Sequence, residues 1–147
     1  MSSKILFLLV AIIAGAVMAI QGSLNSVLGK KIGLWEANLI VHLLGTLIVT
    51  LIILIKGSEL SSIKTAFSAP WYTYLGGILN VAIIFGVTIT MPKLGVCNAT
   101  TAIIAGQVST AALIDQLGLF GLQKSSFCWQ MAVGFVLLLI GAKLLLK

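Results

Sequence analysis

Charged residues are scarce in this sequence, and arginine is absent. Its 147 residues include nine lysines, three acidic residues and one histidine, so charged residues make up only 8% of the chain. A soluble domain is usually about 25% charged and about 45–50% apolar, whereas this chain is 60% hydrophobic with a mean hydropathy of +1.20. The composition therefore excludes an ordinary soluble domain and predicts an integral membrane protein in a lipid bilayer.

Other shortages exclude further classes of function. The two cysteines, Cys97 and Cys128, are too few for a disulfide framework and lack the spacing of metal ligands. No apolar segment holds a carboxylate pair or a His-Glu-x-x-His motif, so we expect no enzyme, no metal and no cofactor. The lysines mostly flank apolar runs, which indicates anchoring at membrane ends and no nucleic-acid partner.

Five segments are apolar enough to cross a bilayer, which requires about 20 such residues. We predict an all-α integral membrane fold in which residues 1–147 form one five-helix domain. The predicted spans are residues 4–28, 34–55, 70–91, 94–116 and 127–146. Tight breaks are predicted at residues 30–33 and 92–95, and a polar surface loop at residues 56–68.

The first span has a face of small residues with two amide side chains beside it. Five small residues share one narrow sector of the helix: Gly15, Ala19, Gly22, Ser26 and Gly29. Such a face lets another helix approach closely in lipid. Gln21 and Asn25 lie beside it, and an amide without a partner in hydrocarbon costs about 2–7 kcal/mol. These amides either hold helices together or line a transport pathway.

The lysines are almost evenly divided between the two predicted membrane sides, with four on the side of the N-terminus and five on the other. Either other signals orient the chain, or Lys143 lies within a span, or copies insert both ways up. In the last case an antiparallel dimer would form a ten-helix body with the inverted-repeat plan of many secondary transporters.

Several motifs occur in a recognisable order. Residues 21–29 resemble the Q-x-x-x-N-x-x-L-G pattern of the YdcZ-like half-size family of the drug/metabolite transporter superfamily. Residues 44–46, 106–107 and 113–122 are similar to further signatures of that family. Gly134 and Gly141 resemble the closing glycine repeat of the superfamily, and with Gly15, Gly22 and Gly29 they are the predicted helix-packing glycines.

This resemblance implies a five-helix transport subunit in a bacterial cytoplasmic (inner) membrane. The subunit would pair antiparallel with a second copy or with an oppositely oriented paralogue. The resemblance supplies no ligand. The first-span glutamate of the related small multidrug resistance proteins is absent here, which argues against their cation–proton exchange.

Six of the polar residues within the spans are the candidate substrate-binding residues: Gln21, Asn25, His42, Asn80, Thr100 and Gln107. At about 1.5 Å of rise per residue, Gln21 and His42 of one copy would lie level with Gln107 and Asn80 of an inverted copy. Amides both donate and accept hydrogen bonds, so the pattern favours a small polar or drug-like solute that is neutral or zwitterionic.

Three residues are candidates for coupling or gating. His42 is the only histidine, and a histidine within a span either carries a coupling proton or is a packed neutral imidazole. Glu36 lies in the first turn of its span, where a carboxylate favours the helix dipole. Asp115 lies at a helix C-terminus, where pairing with Lys124 or a gating role would explain it.

We therefore predict a membrane transporter that works by alternating access as a dual-topology homodimer. Two alternatives share the same topology. One is a passive channel for small solutes or ions, and the other is a structural membrane subunit in which the amides serve only for packing.

Overall fold

The helices of the structure coincide with the apolar segments of the sequence. The computed structural model describes residues 2–57, 65–125 and 128–146. The five long α-helices within these ranges are α1 (Ser2–Ile32), α2 (Leu34–Lys56), α3 (Leu75–Leu94), α4 (Val96–Leu117) and α5 (Trp129–Leu145). Short 3-10 helices at Trp71–Tyr74 and Leu119–Gly121 precede α3 and follow α4. The described residues contain no β-strand, so the all-α prediction is confirmed for them.

Four helical segments in this part of the chain are long and apolar enough to cross a membrane: Lys4–Ile32, Leu34–Lys56, Trp71–Leu94 and Val96–Leu117. The segment Trp129–Leu145 is apolar but shorter, and its 17 residues rise about 25 Å against a bilayer core of about 30 Å. The predicted start of this fifth span at residue 127, and residues 58–64 of the predicted loop, lie outside the described residues.

Two glycines make the tight breaks between helices. Gly33 lies between α1 and α2 with φ 104° and ψ 154°, and Gly95 lies between α3 and α4 with φ 81° and ψ 155°. Side chains rarely tolerate this backbone region, which is essentially reserved for glycine. Each glycine N–H still donates to the carbonyl four residues earlier, to Gly29 and Met91. One residue therefore suffices to redirect the chain while the helical hydrogen bonding continues.

The chain divides into two compact units, residues 1–90 and 91–147. The interior of the first unit is unusually polar. Its buried polar residues come from α1, α2 and α3, and they are Asn25, Ser26, Asn38 and Thr88. In contrast, large apolar side chains such as Ile12 and Leu24 remain more than half exposed. Polar groups inside and apolar groups outside are what a lipid solvent requires.

An aromatic contact joins α2 and α3 within the first unit. The rings of Trp35 and Phe85 are stacked, with centroids 4.6 Å apart and planes 25° apart. Such stacked pairs contribute about 0.5–1.5 kcal/mol beyond the area they bury. The stack holds the beginning of α2 beside the middle of α3.

In the second unit, α4 and α5 pack against each other. Gly118 ends α4 in the left-handed conformation, with φ 62° and ψ 38°. The chain then returns, and the Ser125 N–H donates to the Asp115 carbonyl oxygen over 2.9 Å. This hydrogen bond satisfies a carbonyl in the last turn of α4, where helical partners run out.

Candidate functional site

Three of the predicted polar residues, each from a different helix, line one pocket of about 430 Å³ in the first unit. They are Gln21 of α1, His42 of α2 and Asn80 of α3. The remaining wall of this polar pocket comes from α2 and α3: Val41, Gly45, Thr46, Val49, Thr50 and Ile84. Its volume is within the range of about 300–1,000 Å³ that is usual for small-molecule sites.

His42 is the most firmly held side chain of the polar pocket. Its Nδ1 lies 2.8 Å from the backbone carbonyl oxygen of Asn38, one helical turn earlier. Its Nε2 lies 3.0 Å from Nδ2 of Asn80. Because a carbonyl only accepts, the ring must donate from Nδ1, and Nε2 then accepts from the Asn80 amide. The imidazole is thereby fixed in orientation between α2 and α3.

Asn38 forms a second link between the same two helices. Its Nδ2 donates to the backbone carbonyl of Val81 over 3.1 Å, and Val81 is adjacent to Asn80 in the sequence. Asn38 is 4% exposed, and its Oδ1 is buried without a hydrogen-bond partner among the residues that the structure describes. Two asparagines and one histidine therefore clamp α2 against α3 at consecutive residues of α3.

The sequence interpretation did not name three further polar residues of α2 as site residues: Asn38, Thr46 and Thr50. Thr46 and Thr50 line the polar pocket, and Asn38 joins α2 to α3 through its hydrogen bond to Val81. The signal is the spacing, since His42, Thr46 and Thr50 recur every fourth residue and both threonines line the pocket. A polar face along α2 was therefore visible in the sequence.

Asn25 is placed differently from Gln21. Asn25 is buried at 7% exposure on the small-residue face of α1 and does not line the polar pocket. Gln21 is exposed and does line it. The two predicted amides of the first span thus point to different surroundings, although they are one turn apart.

The remaining two candidates lie in the second unit. Gln107 lines a separate open groove along α4 with Gly106 and Thr110. Thr100 is half-buried near the beginning of α4, and its hydroxyl is buried without a hydrogen-bond partner. The structure therefore does not assemble all six predicted residues around the polar pocket.

Glu36 and Asp115 occupy helix ends. The Glu36 carboxylate lies over Gly33 in the first turn of α2, where it faces the positive end of the helix dipole. Asp115 is exposed and lines an apolar pocket between α4 and α5, whose wall includes Met131, Gly134 and Phe135. Asp115 and Lys124 form no ion pair among the described residues.

The predicted packing glycines also differ in their surroundings. Gly22 and Gly29 of α1 are buried. A Cβ added to Gly15, Gly134 or Gly141 would have no atom from outside its own stretch of helix within 4 Å. Among these five glycines, full burial is therefore confined to the second half of α1.

Long apolar helices around a polar pocket define a polytopic α-helical membrane protein. The chain belongs to the YdcZ family, because residues 6–144 match the family model described as "Putative inner membrane exporter, YdcZ". The family resemblance of the sequence is thereby confirmed. No match was found among curated proteins or among solved structures. The family description names an inner-membrane location and a transport role, which is not an enzymatic one.

Proposed function

We propose that this protein is a transporter of a small polar solute, and that the polar pocket binds the solute. The observation that carries the proposal is the convergence of Gln21, His42 and Asn80 from three helices on one pocket. Polar groups within spans are costly and mark solute or ion pathways. The family description supports movement of the solute out of the cell.

The chemistry of the pocket limits the solute class. Amides, hydroxyls and one imidazole supply its polar groups, and none of the lining residues is an acid or a lysine. Amide groups donate and accept hydrogen bonds, so they suit a neutral or zwitterionic solute. A bare cation would lack both a carboxylate and an aromatic face in this pocket.

The transporter works by alternating access as an antiparallel homodimer, or as a pair with an oppositely oriented paralogue. The division of lysines, four against five, supports insertion in both orientations. Gln107 is in the second unit, outside the polar pocket. In the proposed dimer, Gln107 of the inverted copy completes the site formed by Gln21, His42 and Asn80, with Thr100 nearby.

The test begins with purified protein and a thermal-shift screen of neutral and zwitterionic solutes, since a ligand of the folded state raises its apparent stability. The solute with the largest shift is then followed in proteoliposomes. Movement against its own gradient, driven by an imposed ion gradient, separates a carrier from a passive channel. Movement only down the gradient would identify a channel.

Matched glutamine variants locate the site. Gln21→Leu should abolish flux without disturbing assembly, because leucine is better tolerated by lipid than glutamine. Gln116→Leu is the control, since Gln116 is half-buried on α4 and does not line the polar pocket. Normal flux in Gln21→Leu would remove the polar pocket as the solute site.

A further inference from the structure

The hydrogen bonds of His42 confine proton exchange to one ring atom. Nδ1 faces the Asn38 carbonyl oxygen at 2.8 Å, and Nε2 faces Asn80 Nδ2 at 3.0 Å. The carbonyl accepts and cannot donate, so Nδ1 keeps its hydrogen in both the neutral and the charged ring. A proton from solution can therefore enter only at Nε2, the atom that contacts Asn80.

Asn80 must present opposite ends to the two states of this ring. Toward the neutral ring it presents its NH₂ group, which donates to Nε2, as in the structure. A charged ring donates from Nε2, so Asn80 must then turn its carboxamide and accept through Oδ1. Protonation of His42 is thus tied to a half-rotation of one neighbouring amide.

The rotation changes what Asn80 offers to a solute. While the ring is neutral, the Asn80 Oδ1 remains for a donor group on the solute. Once the ring is charged, the NH₂ group remains and calls for an acceptor on the solute. Asn80 therefore presents mainly an acceptor to the solute before the proton binds and mainly a donor afterwards.

The charged state also needs a counter-ion that the pocket itself lacks. The helices around His42 contribute Gln21 from α1, Thr46 and Thr50 from α2, and Asn80 from α3, with no acid or lysine among the lining residues. The acid on the same helix, Glu36, is six residues earlier, about 9 Å along the axis. None of the lining residues supplies a negative charge to the protonated ring, so a carboxylate on the solute is the group that pairs with it.

We propose that Asn80 is a specificity-determining residue, and that it makes the polar pocket select a carboxylate-bearing solute together with one proton. This proposal rests on the proposed function and changes its solute class from a neutral or zwitterionic molecule to a carboxylate that is neutralised by the proton it binds with. The proton binds the lone pair of Nε2, the Asn80 amide rotates, and the carboxylate accepts from the exposed NH₂ group. Proton and solute then move in the same direction as an electroneutral pair, outward when the solute gradient is outward.

The first test uses the single histidine of the chain. With ¹⁵N-histidine as the only label, the protein in nanodiscs gives the signals of one imidazole. At alkaline pH we expect hydrogen on Nδ1 and none on Nε2. A neutral ring with its hydrogen on Nε2 would overturn the proposal, and this measurement needs no variant and no solute.

The second test measures binding between about pH 6 and about pH 9, where carboxylates stay ionised. The probes are N-acetylleucine in its carboxylate form and its uncharged amide, N-acetylleucinamide. If the carboxylate binds only the protonated state, its apparent Kd rises about tenfold per pH unit on the alkaline side. The Kd of the amide should not follow pH in this way. Equal pH dependence of both probes would overturn the assignment of a carboxylate.

Variants separate this inference from the proposed function. His42→Gln should remove the pH dependence of the Kd of the carboxylate probe. Asn80→Asp should abolish binding of this probe, because aspartate accepts from Nε2 of the charged ring and has no NH₂ group to donate to the carboxylate. Asn98→Asp, outside the polar pocket, is the control and should behave as wild type. Proton-linked binding without flux would support the selection of a carboxylate by Asn80 and refute the proposed transport function. Flux without proton-linked binding would support the transport function and refute the selection of a carboxylate by Asn80.

Discussion

The methyl group of Thr88 on α3 occupies the space that any side chain at Gly29 on α1 would need. A Cβ added to Gly29 would lie 2.5 Å from Cγ2 of Thr88, which is itself only 2% exposed. Close approach at small residues is the usual means by which helices associate in lipid. The contact explains why the small-residue face of α1 is buried at Gly29 and exposed at Gly15.

Gly29→Ala should destabilise the protein by about 1–3 kcal/mol through overpacking. Adding Thr88→Ser should recover part of this loss, because serine lacks the methyl group in the way. Gly15→Ala is the control, since nothing lies within 4 Å of its Cβ position, and it should leave stability unchanged or slightly higher. Thermal melting in detergent measures all three, and equal melting of the two alanine variants would contradict the contact.

Replacement of the buried Asn38 by an apolar residue is expected to maintain or raise the stability of the protein. Its hydrogen bond to Val81 contributes about 0.6 kcal/mol if it is typical of membrane proteins, whereas its unpaired Oδ1 costs about 1–3 kcal/mol. Asn38→Leu should therefore melt at the same temperature as wild type or higher. Asn38→Asp keeps the shape but replaces the donor by an acceptor, so it should melt lower. A large loss of stability in Asn38→Leu would show that the oxygen has a partner.

Dual topology predicts that both termini are found on both sides of the membrane. Reporter cysteines placed at each terminus, in a background with Cys97 and Cys128 replaced, should each be labelled in part by an impermeant reagent. Several lysines added at one terminus should force a single orientation. Flux should then fall until a copy with the opposite bias is supplied. Complete labelling of one terminus and none of the other would refute dual topology.

Mixing of subunits tests whether the site is shared. We expect Gln21→Leu and Gln107→Leu each to abolish flux in a homodimer. When the two are co-expressed, roughly half of the dimers are mixed, and each mixed dimer has one cavity with both glutamines intact. Flux should therefore return in part. If Gln21 and Gln107 of the same copy line one cavity, every cavity of a mixed dimer has one defect and no flux returns. Flux in cells that co-express the two variants distinguishes these outcomes.

Local features were predictable from the sequence, whereas contacts between helices were not. The chain breaks at Gly33 and Gly95, as the glycines and the lengths of the apolar runs predict, but the other residues of the predicted breaks, 30–32 and 92–94, are helical. α1 continues to Ile32 rather than to the predicted residue 28, because lysines form helix well and suit a helix C-terminus.

The pairing of His42 with Asn80 in one chain differs from the predicted depths, which placed Asn80 level with His42 only in an inverted copy. Rise per residue gives depth only for helices that are parallel to the membrane normal. Tilt and register are set by packing between helices, and here by the Asn38–Val81 and His42–Asn80 hydrogen bonds. A single sequence does not contain that information in its periodicity.

The stacking of Trp35 on Phe85 makes Trp35 an intrinsic fluorescent probe of the contact between α2 and α3. The chain has three tryptophans, so replacing Trp71 and Trp129 by phenylalanine leaves one indole, that of Trp35 on α2, which stacks on Phe85 of α3. Its emission depends on contact with the ring of Phe85. A separation of α2 from α3, the two helices that form most of the pocket wall, would then change the wavelength and the intensity of the Trp35 fluorescence. This change can be followed in real time without an attached dye.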